Sequence, residues 1–325
     1  MAAEQHPIAA PLPWQAGAWR RFLGAHTAGR VPHALLLGGV AGTGKRALAD
    51  AMAARLLCEA DRGAPACGRC RGCRLRFAGS HPDAVFIEPE EAGSGILKIE
   101  SARALTDFSQ RTSQYAGYRV ARLQPAEAMN RHTANALLKT LEEPPPGMVL
   151  ILVSHEPGQL PATLRSRCQQ YRLGIPPASQ ALDWLQGEGV ADAAELLALA
   201  GGAPVAAREL AEHDGRERVA ALVAAVDAVV AGERGVVEAA SEWHAVGALE
   251  TTRLMQRLVW QLMRDRATGS KPRFGPAGAE RLGERLDLER LGRLADRLAG
   301  LRGAATRSLA RELSIEALFA LWSEA

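Results

Sequence analysis

The sequence predicts an α/β fold with a parallel sheet in its first half, followed by an all-helical second half. Three observations lead to this prediction. Apolar runs typical of buried strands alternate with helical patterns from His33 to Leu173, as in a parallel sheet wrapped by helices. A glycine-rich loop follows the first of these runs, and beyond Pro176-Pro177 the leucine spacing is that of amphipathic helices, with no strand pattern.

The bulk composition is that of a soluble globular protein. The chain has 325 residues, of which 47% are hydrophobic and 23% charged, and its net charge of +3 is too small to indicate nucleic-acid binding by itself. No Lys or Arg precedes Arg20, which excludes the basic start of a secretory signal. No apolar run reaches the ~20 residues that span a bilayer. We therefore expect a soluble, cytoplasmic protein.

The first 32 residues read as a loose lead-in followed by one helix. Trp14, Trp19, Phe22 and Leu23 can share a helical face. We expect this face to pack against the body of the first domain.

A phosphate-binding loop is predicted at Gly39–Lys45. The segment follows the apolar run His33–Leu37 and opens a helical pattern, which is the context that such a loop needs. Its glycines let backbone N–H groups turn inward around anionic oxygens, and the helix N-terminus and the lysine ammonium add positive charge. The next residue should be Ser or Thr, whose hydroxyl binds Mg²⁺, but it is Arg46. The candidate nucleotide-binding residues are Gly39, Gly42, Thr43, Gly44 and Lys45.

Four cysteines follow the loop's helix and predict a structural zinc site. Cys58, Cys67, Cys70 and Cys73 have the spacing C-x8-C-x2-C-x2-C, and four thiolates close a tetrahedral Zn²⁺ shell. Disulfides compete with this interpretation, but a cytosolic chain keeps such thiols reduced. An iron–sulfur cluster also accepts four thiolates and stays open as an alternative.

Arginines surround these cysteines and admit two interpretations. One is a zinc module that binds nucleic acid. The other, which we favour, is a solvated basic knob, because no aromatic residue lies between the cysteines to stack on bases. The arginines are Arg62, Arg69, Arg71, Arg74 and Arg76.

Strands and helices then alternate along the rest of the first half. Because ligands bind at the carboxyl ends of parallel strands, the residues after each strand become candidates for the site around the glycine loop. The predicted strands are 83–87, 118–123, 148–153 and 171–173, and the predicted helices are 99–112 and 130–143, the second of which stops before three prolines.

The second half predicts helices only. Three short helical patterns lie near 181–186, 191–200 and 205–212, and longer helices follow from about His213. A helical bundle and an oligomerisation collar both fit this periodicity. The longer helices are marked by Leu254, Leu258 and Leu262, then by Leu291, Leu294, Leu298 and Leu301, and then by Leu309, Leu313, Leu318, Leu321 and Trp322.

Taken together, these motifs resemble the clamp-loader branch of the AAA+ ATPases. The glycine loop, the cysteine insertion, the segment Asn135–Pro145 (NALLKTLEEPP) and the segment Thr163–Cys168 (TLRSRC) occur in that order. The resemblance covers roughly residues 33–168, and the helical remainder matches only in length and character.

The resemblance implies three domains and a multi-subunit ring. They are a RecA-like nucleotide-binding domain at 1–175 with the zinc insertion at 58–73, a small helical lid at 176–212, and a helical collar at 213–325. The implied ring is a hetero-pentamer with three ATPase subunits (gamma or tau) and one delta subunit. Such a ring opens a sliding clamp and places it on primed DNA during chromosome replication.

Within the resemblance, the Ser-Arg-Cys motif assigns a trans role to Arg167. In clamp loaders this arginine reaches across the interface to a neighbour's ATP and stabilises charge on the transferred phosphoryl group. The alternative is an ordinary salt-bridge arginine. Arg165 is the less suitable candidate for the trans role.

Several parts that an ATPase of this class needs are missing. After the third strand, Gln124 and Pro125 stand where such an ATPase carries Asp-Glu, and Glu127 is offset. Val205 stands where the lid arginine is expected. Ser154 is the polar residue expected at the end of the Met148–Val153 strand and could still reach a phosphate.

These gaps predict negligible hydrolysis by the isolated chain, because each missing group contributes orders of magnitude to phosphoryl transfer. Binding of ATP or ADP stays open, since a backbone nest binds anions without Mg²⁺. Two other functions remain as alternatives: an active AAA+ ATPase of the gamma or tau type, and a zinc-dependent nucleic-acid-binding module.

Overall fold

A computed structural model of the chain describes residues 9–60, 65–89, 97, 99–115, 117–212, 215–269, 278–305 and 311–324. The chain forms two compact units, Met1–Pro176 and Pro177–Ala325. The boundary falls at the proline pair where the strand pattern of the sequence ends. The further division of the second half into lid and collar stays a prediction, and its boundary residue His213 lies outside the described residues.

The first unit contains a five-stranded parallel sheet, which confirms the predicted α/β class. The strand order is β2-β3-β4-β1-β5, so β1 lies between β4 and β5. Strands β1 and β4 are buried along their whole length, as their unbroken apolar sequences predict. The strands are β1 Ala34–Gly38, β2 Ala84–Ile87, β3 Arg119–Leu123, β4 Met148–Ser154 and β5 Gln169–Arg172.

Helices cover both faces of this sheet. Alternate residues of β1 point to opposite faces, so Leu35 and Leu37 join one apolar cluster, whereas Ala34 and Leu36 join another. The first cluster includes residues of α1 and α2, and the second includes residues of α4 and α5. The helices of this unit are α1 Ala16–Thr27, α2 Lys45–Leu57, α3 Arg71–Phe77, α4 Ile99–Ser109, α5 Arg131–Glu142 and α6 Ala162–Arg165.

Some boundaries differ from the predicted ones. Helix α4 ends at Ser109 rather than Thr112, because the buried guanidinium of Arg119 takes the carbonyls of Phe108 and Ser109 at its end. Strand β5 begins two residues earlier than predicted, at Gln169, because pairing with β1 recruits polar residues on either side of the buried Tyr171. Helix α3, which begins at the end of the cysteine segment, was not predicted.

Helices joined by turns make up the described residues of the second unit, and no strand lies among them. Its helices enclose one apolar core, which includes Leu258 and Leu262 on α12 and Leu318 and Trp322 on α15. The predicted core residue Leu309 lies outside the described residues. Its helices are α7 Ala178–Gly187, α8 Ala193–Leu199, α9 Pro204–Glu212, α10 Gly215–Val230, α11 Val236–Ser241, α12 Ala248–Thr268, α13 Gly278–Arg285, α14 Leu288–Ala305 and α15 Arg311–Ser323. None of the described helices in either unit has the length and apolar character to cross a membrane.

Candidate functional site

The glycine loop joins β1 to α2 at the carboxyl edge of the sheet. The ends of β1 and β4 lie side by side there, since Gly38 pairs with Ser154. Gly39 has φ of +148°, and a Cβ at this position would lie 1.9 Å from the carbonyl oxygen of Leu173. Only glycine therefore allows the chain to leave β1 along this path.

Lys45 is folded back across the loop. Its Nζ donates to the carbonyl oxygens of Gly39 at 2.7 Å and of Val40 at 2.6 Å, and the residue is 2% exposed. Burial lowers the pKa of Lys45 to about 8, although attraction to the Glu127 carboxylate opposes this shift. The Lys45 side chain thus links the last residue of the loop to its first two residues.

The lead-in segment holds the outer side of the same loop. Trp14 Nε1 donates to the Thr43 carbonyl at 3.0 Å, and Gln15 Nε2 donates to the carbonyls of Thr43 at 3.2 Å and Gly44 at 2.7 Å. In a planar trans peptide the N–H points opposite to the C=O, so the N–H groups of Gly44 and Lys45 point away from these two side chains.

The inward N–H groups of the loop are available to a ligand. Within the part of the chain that the structure describes, no protein acceptor takes the backbone N–H groups of residues 41–46. Gly42 and Gly44 adopt φ of +75° and +80°, the left-handed conformation with which anion-binding nests are built. Phosphate binding by this loop stays a prediction, and Trp14 and Gln15 are two supports of the loop that sequence reasoning missed.

Arg46 is engaged outside the nest. It pairs with Glu88 at 3.2 Å and with Asp50 at 3.8 Å, and its side chain is 57% exposed. The buried Arg122 of β3 pairs with the same two carboxylates, each at 2.5 Å. Burial raises the pKa of Asp50 and lowers that of Arg122, and in each case the opposite charge counters the shift. Arg46 thus belongs to a four-residue ionic cluster beside the loop.

The ends of β3 and β4 carry few groups suited to a metal ion. Gln124 Oε1 is buried without a hydrogen-bond partner. The Ser154 hydroxyl is buried and accepts the N–H of Glu156 at 3.2 Å. Glu127 accepts the N–H of His155 at 2.9 Å through Oε1, while its Oε2 is buried without a partner. Among Gln124, Ser154 and Glu127, only Glu127 carries a carboxylate.

Val205 lies in the first turn of α9, in the second unit. The position that the resemblance assigned to a lid arginine therefore has an aliphatic side chain on a helix, as the sequence indicated.

The four cysteines form a compact cluster that fits a tetrahedral metal ion. Their Sγ atoms all lie within 4.8 Å of one another, and those of Cys58 and Cys70 are 3.8 Å apart. Four ligands at ~2.3 Å from a zinc ion lie about 3.8 Å from each other. All five cysteines of the chain are free thiols, which argues against the disulfide interpretation.

Backbone amides turn toward the sulfurs of this cluster. The N–H groups of Cys67, Cys70 and Cys73 donate to the sulfurs of Cys58, Cys67 and Cys70 respectively, each at 3.3 Å. Burial tends to raise the pKa of Cys67, but hydrogen bonds from the amides of Arg69 and Cys70 prevail and lower it to about 6. Such amides favour the thiolate form that metal ions bind.

The arginines around the cluster are partly solvated. Arg69, Arg71 and Arg74 are exposed, and the Arg71 guanidinium lies over the Tyr115 ring with 4.8 Å to its centroid. Tyr115 comes from outside the cysteine segment, so this aromatic contact was not visible in the spacing. Arg62 lies outside the described residues.

Arg167 lies just after α6, at some distance in sequence from the loop. Its Nη2 donates to Glu142 Oε1 at 2.7 Å, its Nη1 donates to the Thr163 carbonyl at 2.9 Å, and its side chain is 36% exposed. Arg165 differs, because its Nε is buried without a partner. Both arginines are half-buried, and they differ in that the Arg167 guanidinium has two partners within the described chain.

Comparison with known proteins gives consistent matches. A family model described as "DNA polymerase III, delta subunit" matches residues 14–176. The DNA polymerase III subunit delta' of Pseudomonas aeruginosa is 42% identical over 238 residues, which are 72% of this chain and 71% of that protein. The corresponding Escherichia coli K12 protein is 38% identical over 205 residues, covering 62% of this chain and 61% of that protein.

Two more distant similarities are also found. The DNA polymerase III subunit tau of Escherichia coli K12 is 37% identical over 145 residues, 45% of this chain and 22% of that protein. Among solved structures, a DNA polymerase III gamma subunit-related protein from Thermotoga maritima aligns with a TM-score of 0.44 and 17% identity, covering 95% of this chain and 99% of that one.

Proposed function

Because the chain belongs to the family of DNA polymerase III delta-prime subunits, we propose that it acts in a clamp loader as a largely non-hydrolysing wall of the ring. In this role it contributes Arg167 to a neighbouring ATPase subunit and turns over no ATP of its own. Its partners are the gamma or tau and delta subunits in a hetero-pentamer, the sliding clamp, and primed DNA through the assembled complex. Such a subunit works in the cytoplasm.

The observation that carries this proposal is the chemistry of the loop's surroundings. The nest and Lys45 supply donors for phosphate oxygens, but the residue after Lys45 is an arginine held by Asp50 and Glu88. Gln124 cannot bind Mg²⁺ as a carboxylate. The arrangement suits anion binding and lacks parts needed for phosphoryl transfer.

Binding of ATP or ADP at the loop is a separate part of the proposal. Gly39, Gly42, Thr43, Gly44 and Lys45 would hold the phosphates through backbone N–H groups and one ammonium. Because Arg46 replaces the Ser or Thr expected after Lys45, Mg²⁺ contributes little to this affinity, so the site is expected to be weak and nearly metal-independent. Titration of a labelled nucleotide with Mg²⁺ or with EDTA measures both properties.

The trans role of Arg167 rests on its position and accessibility. Its guanidinium is partly exposed in the first unit, and two of its five N–H donors are used by the residues that the structure describes. Three donors remain for phosphate oxygens of a neighbour. A guanidinium supplied in this way stabilises the charge that develops on the transferred phosphoryl group.

The cysteine cluster is proposed to hold one structural zinc ion. Cys58, Cys67, Cys70 and Cys73 would complete the shell and leave no open position, so the ion supplies folding stability and no catalysis. Metal analysis together with an absorption spectrum decides between zinc and an iron–sulfur cluster, because only the latter absorbs visible light.

The experiment that tests the proposed function is ATP turnover in a reconstituted loader. The purified chain alone should hydrolyse no measurable ATP. The mixture with gamma and delta subunits, clamp and primed DNA should hydrolyse ATP. Replacing Arg167→Ala should lower the rate of the mixture at least about tenfold, because a trans arginine contributes ~10³–10⁵ in the best-studied cases. An unchanged rate in an assembled complex would contradict the trans role.

The active-ATPase alternative depends on Glu127. If this residue replaced the missing carboxylate, the isolated chain would hydrolyse ATP, and Glu127→Gln would abolish that activity. In the proposed role the chain has no polymerase activity of its own. It is part of the DNA-directed DNA polymerase holoenzyme, a nucleotidyltransferase, only as a member of the complex.

The nucleic-acid alternative draws on the exposed Arg69, Arg71 and Arg74. Tight binding of primed DNA by the isolated chain, lost when these arginines are replaced and weakened steeply by salt, would favour that function.

A further inference from the structure

The contact between Glu142 and Arg167 joins two elements that are distant in sequence. Glu142 is the last residue of α5, and Arg167 follows the short helix α6. Their side chains meet in an ion pair of 2.7 Å, and the Thr163 carbonyl holds the other terminal nitrogen of the guanidinium at 2.9 Å. The guanidinium is therefore fixed from two directions by its own chain.

The pairing satisfies both charges. A carboxylate at the C-terminal end of a helix faces the negative end of the helix dipole, which is unfavourable without a nearby cation. Arg167 supplies that cation for Glu142. In return, the carboxylate orients a long side chain that would otherwise sample many rotamers.

The neighbouring residue offers a natural comparison. Glu143 is also exposed and follows Glu142 directly, but no described cation pairs with its carboxylate. A requirement for the Glu142 carboxylate can therefore be separated from a general requirement for negative charge at the end of α5.

We propose that Glu142 is a positioning residue, which holds the Arg167 guanidinium with its three unused N–H donors directed to the phosphate of the neighbouring subunit. This inference rests on the proposed trans role of Arg167. Ordering the guanidinium before assembly removes a rotamer-entropy cost from the transition state and fixes the donor geometry.

The test is ATP turnover by the reconstituted loader with variants of this one chain. Glu142→Ala should lower kcat about tenfold with little change in KM for ATP, because the lost contact acts through the transition state. Glu142→Gln should retain most of the activity, since its amide oxygen still accepts from Nη2. Glu143→Ala is the matched control and should leave kcat unchanged.

A second set of variants separates positioning from structural damage. In the Arg167→Ala background, Glu142→Ala should cause no further loss, because its effect passes through the arginine. An equal loss in both backgrounds, an unchanged kcat in Glu142→Ala, or a raised kcat would each overturn the inference. If Arg167→Ala itself has no effect, the proposed trans role fails instead, so the two failures are distinguishable.

Discussion

At the scale of single residues, Lys45 is a structural part of the loop and also the proposed positive charge for a bound phosphate. It is buried, its ammonium bridges two loop carbonyls, and burial lowers its pKa to about 8. The charge that a phosphate needs is therefore lost close to physiological pH.

This pKa predicts a pH dependence of nucleotide binding. Affinity for ATP should fall as the pH rises from 7 to 9, by at most about tenfold per pH unit, because one proton is involved. Nucleotide titrations at several pH values measure the fall, and Lys45→Met should show a weak, flat profile. A wild-type profile as flat as that of the variant would contradict the prediction.

The lowered pKa of Lys45 should make folding stability rise with pH, whereas nucleotide affinity falls. The pKa of Lys45 is lowered from 10.5 to about 8 in the folded chain, so the unfolded chain binds this proton more tightly. Lys45 therefore disfavours folding below about pH 8, and this penalty disappears between pH 8 and 10.5. Stability and nucleotide affinity should thus respond oppositely to alkaline pH.

At the scale of elements, the lead-in before α1 is part of the loop's support. Gln15 is fully buried and donates to two loop carbonyls, while Trp14 donates to one of them. The segment fixes which way the loop peptides face.

Gln15→Ala should therefore weaken both the fold and nucleotide binding. Loss of a buried donor that satisfies a carbonyl costs about 1–3 kcal/mol, and the freed peptides no longer point their N–H groups to one centre. The melting temperature and the nucleotide affinity should both fall. Gln110→Ala is the control, since Gln110 is exposed, and it should leave both values unchanged. Equal behaviour of the two variants would contradict the support role.

The cysteine segment is a second element with a testable requirement. The wild-type chain should contain one zinc ion, and Cys70→Ser should lose it, because three thiolates and a hydroxyl hold zinc far less well. Cys168→Ser should retain the metal, since Cys168 lies apart from the cluster and donates to the Leu164 carbonyl. Metal analysis of the purified variants checks this. Iron in place of zinc would support the alternative cluster.

The sequence predicted well those elements whose residues decide their own structure. Strands β1 and β4 are unbroken apolar runs, and α5 begins just after its N-cap Asn130, whose side chain accepts the N–H of Thr133 at 2.8 Å. Strand β5 lies at 169–172 rather than at the predicted 171–173. Its polar residues form a strand because they pair with β1, and the local sequence pattern gives no sign of that pairing.

The residues of the candidate site also fall into two groups, those that local sequence patterns predict and those that only the folded structure brings together. The glycines, Lys45 and the cysteines follow from spacing within short segments. The contacts of Gln15 with Thr43, of Arg122 with Asp50 and of Arg167 with Glu142 span 28, 72 and 25 residues. Such partners are chosen by the folded path of the chain, so a single sequence gives no signal for them.

At the scale of the whole molecule, the two units have separate apolar cores. The core that contains Leu258 consists of residues from the second unit, and the core that contains Met52 consists of residues from the first. Each unit therefore has its own source of stability.

Calorimetry should reveal two unfolding transitions. Met52→Ala and Leu258→Ala each remove a buried side chain, at a cost of about 2–5 kcal/mol, and each should lower a different transition. Chelation of zinc should lower the transition that Met52→Ala affects. A single transition shifted by both variants would mean that the units unfold as one.

The hydrogen bonds from Lys45 to the loop carbonyls give this residue a structural role that evolution can preserve independently of nucleotide binding. The ammonium joins the Gly39 and Val40 carbonyls, and the same glycine lies against Leu173, so these residues maintain the path of the chain whether or not a nucleotide arrives. Selection for a correctly shaped joint between β1 and α2 would preserve Gly39 and Lys45 even in a chain that hydrolyses no nucleotide. A phosphate-loop signature can therefore persist for structural reasons alone.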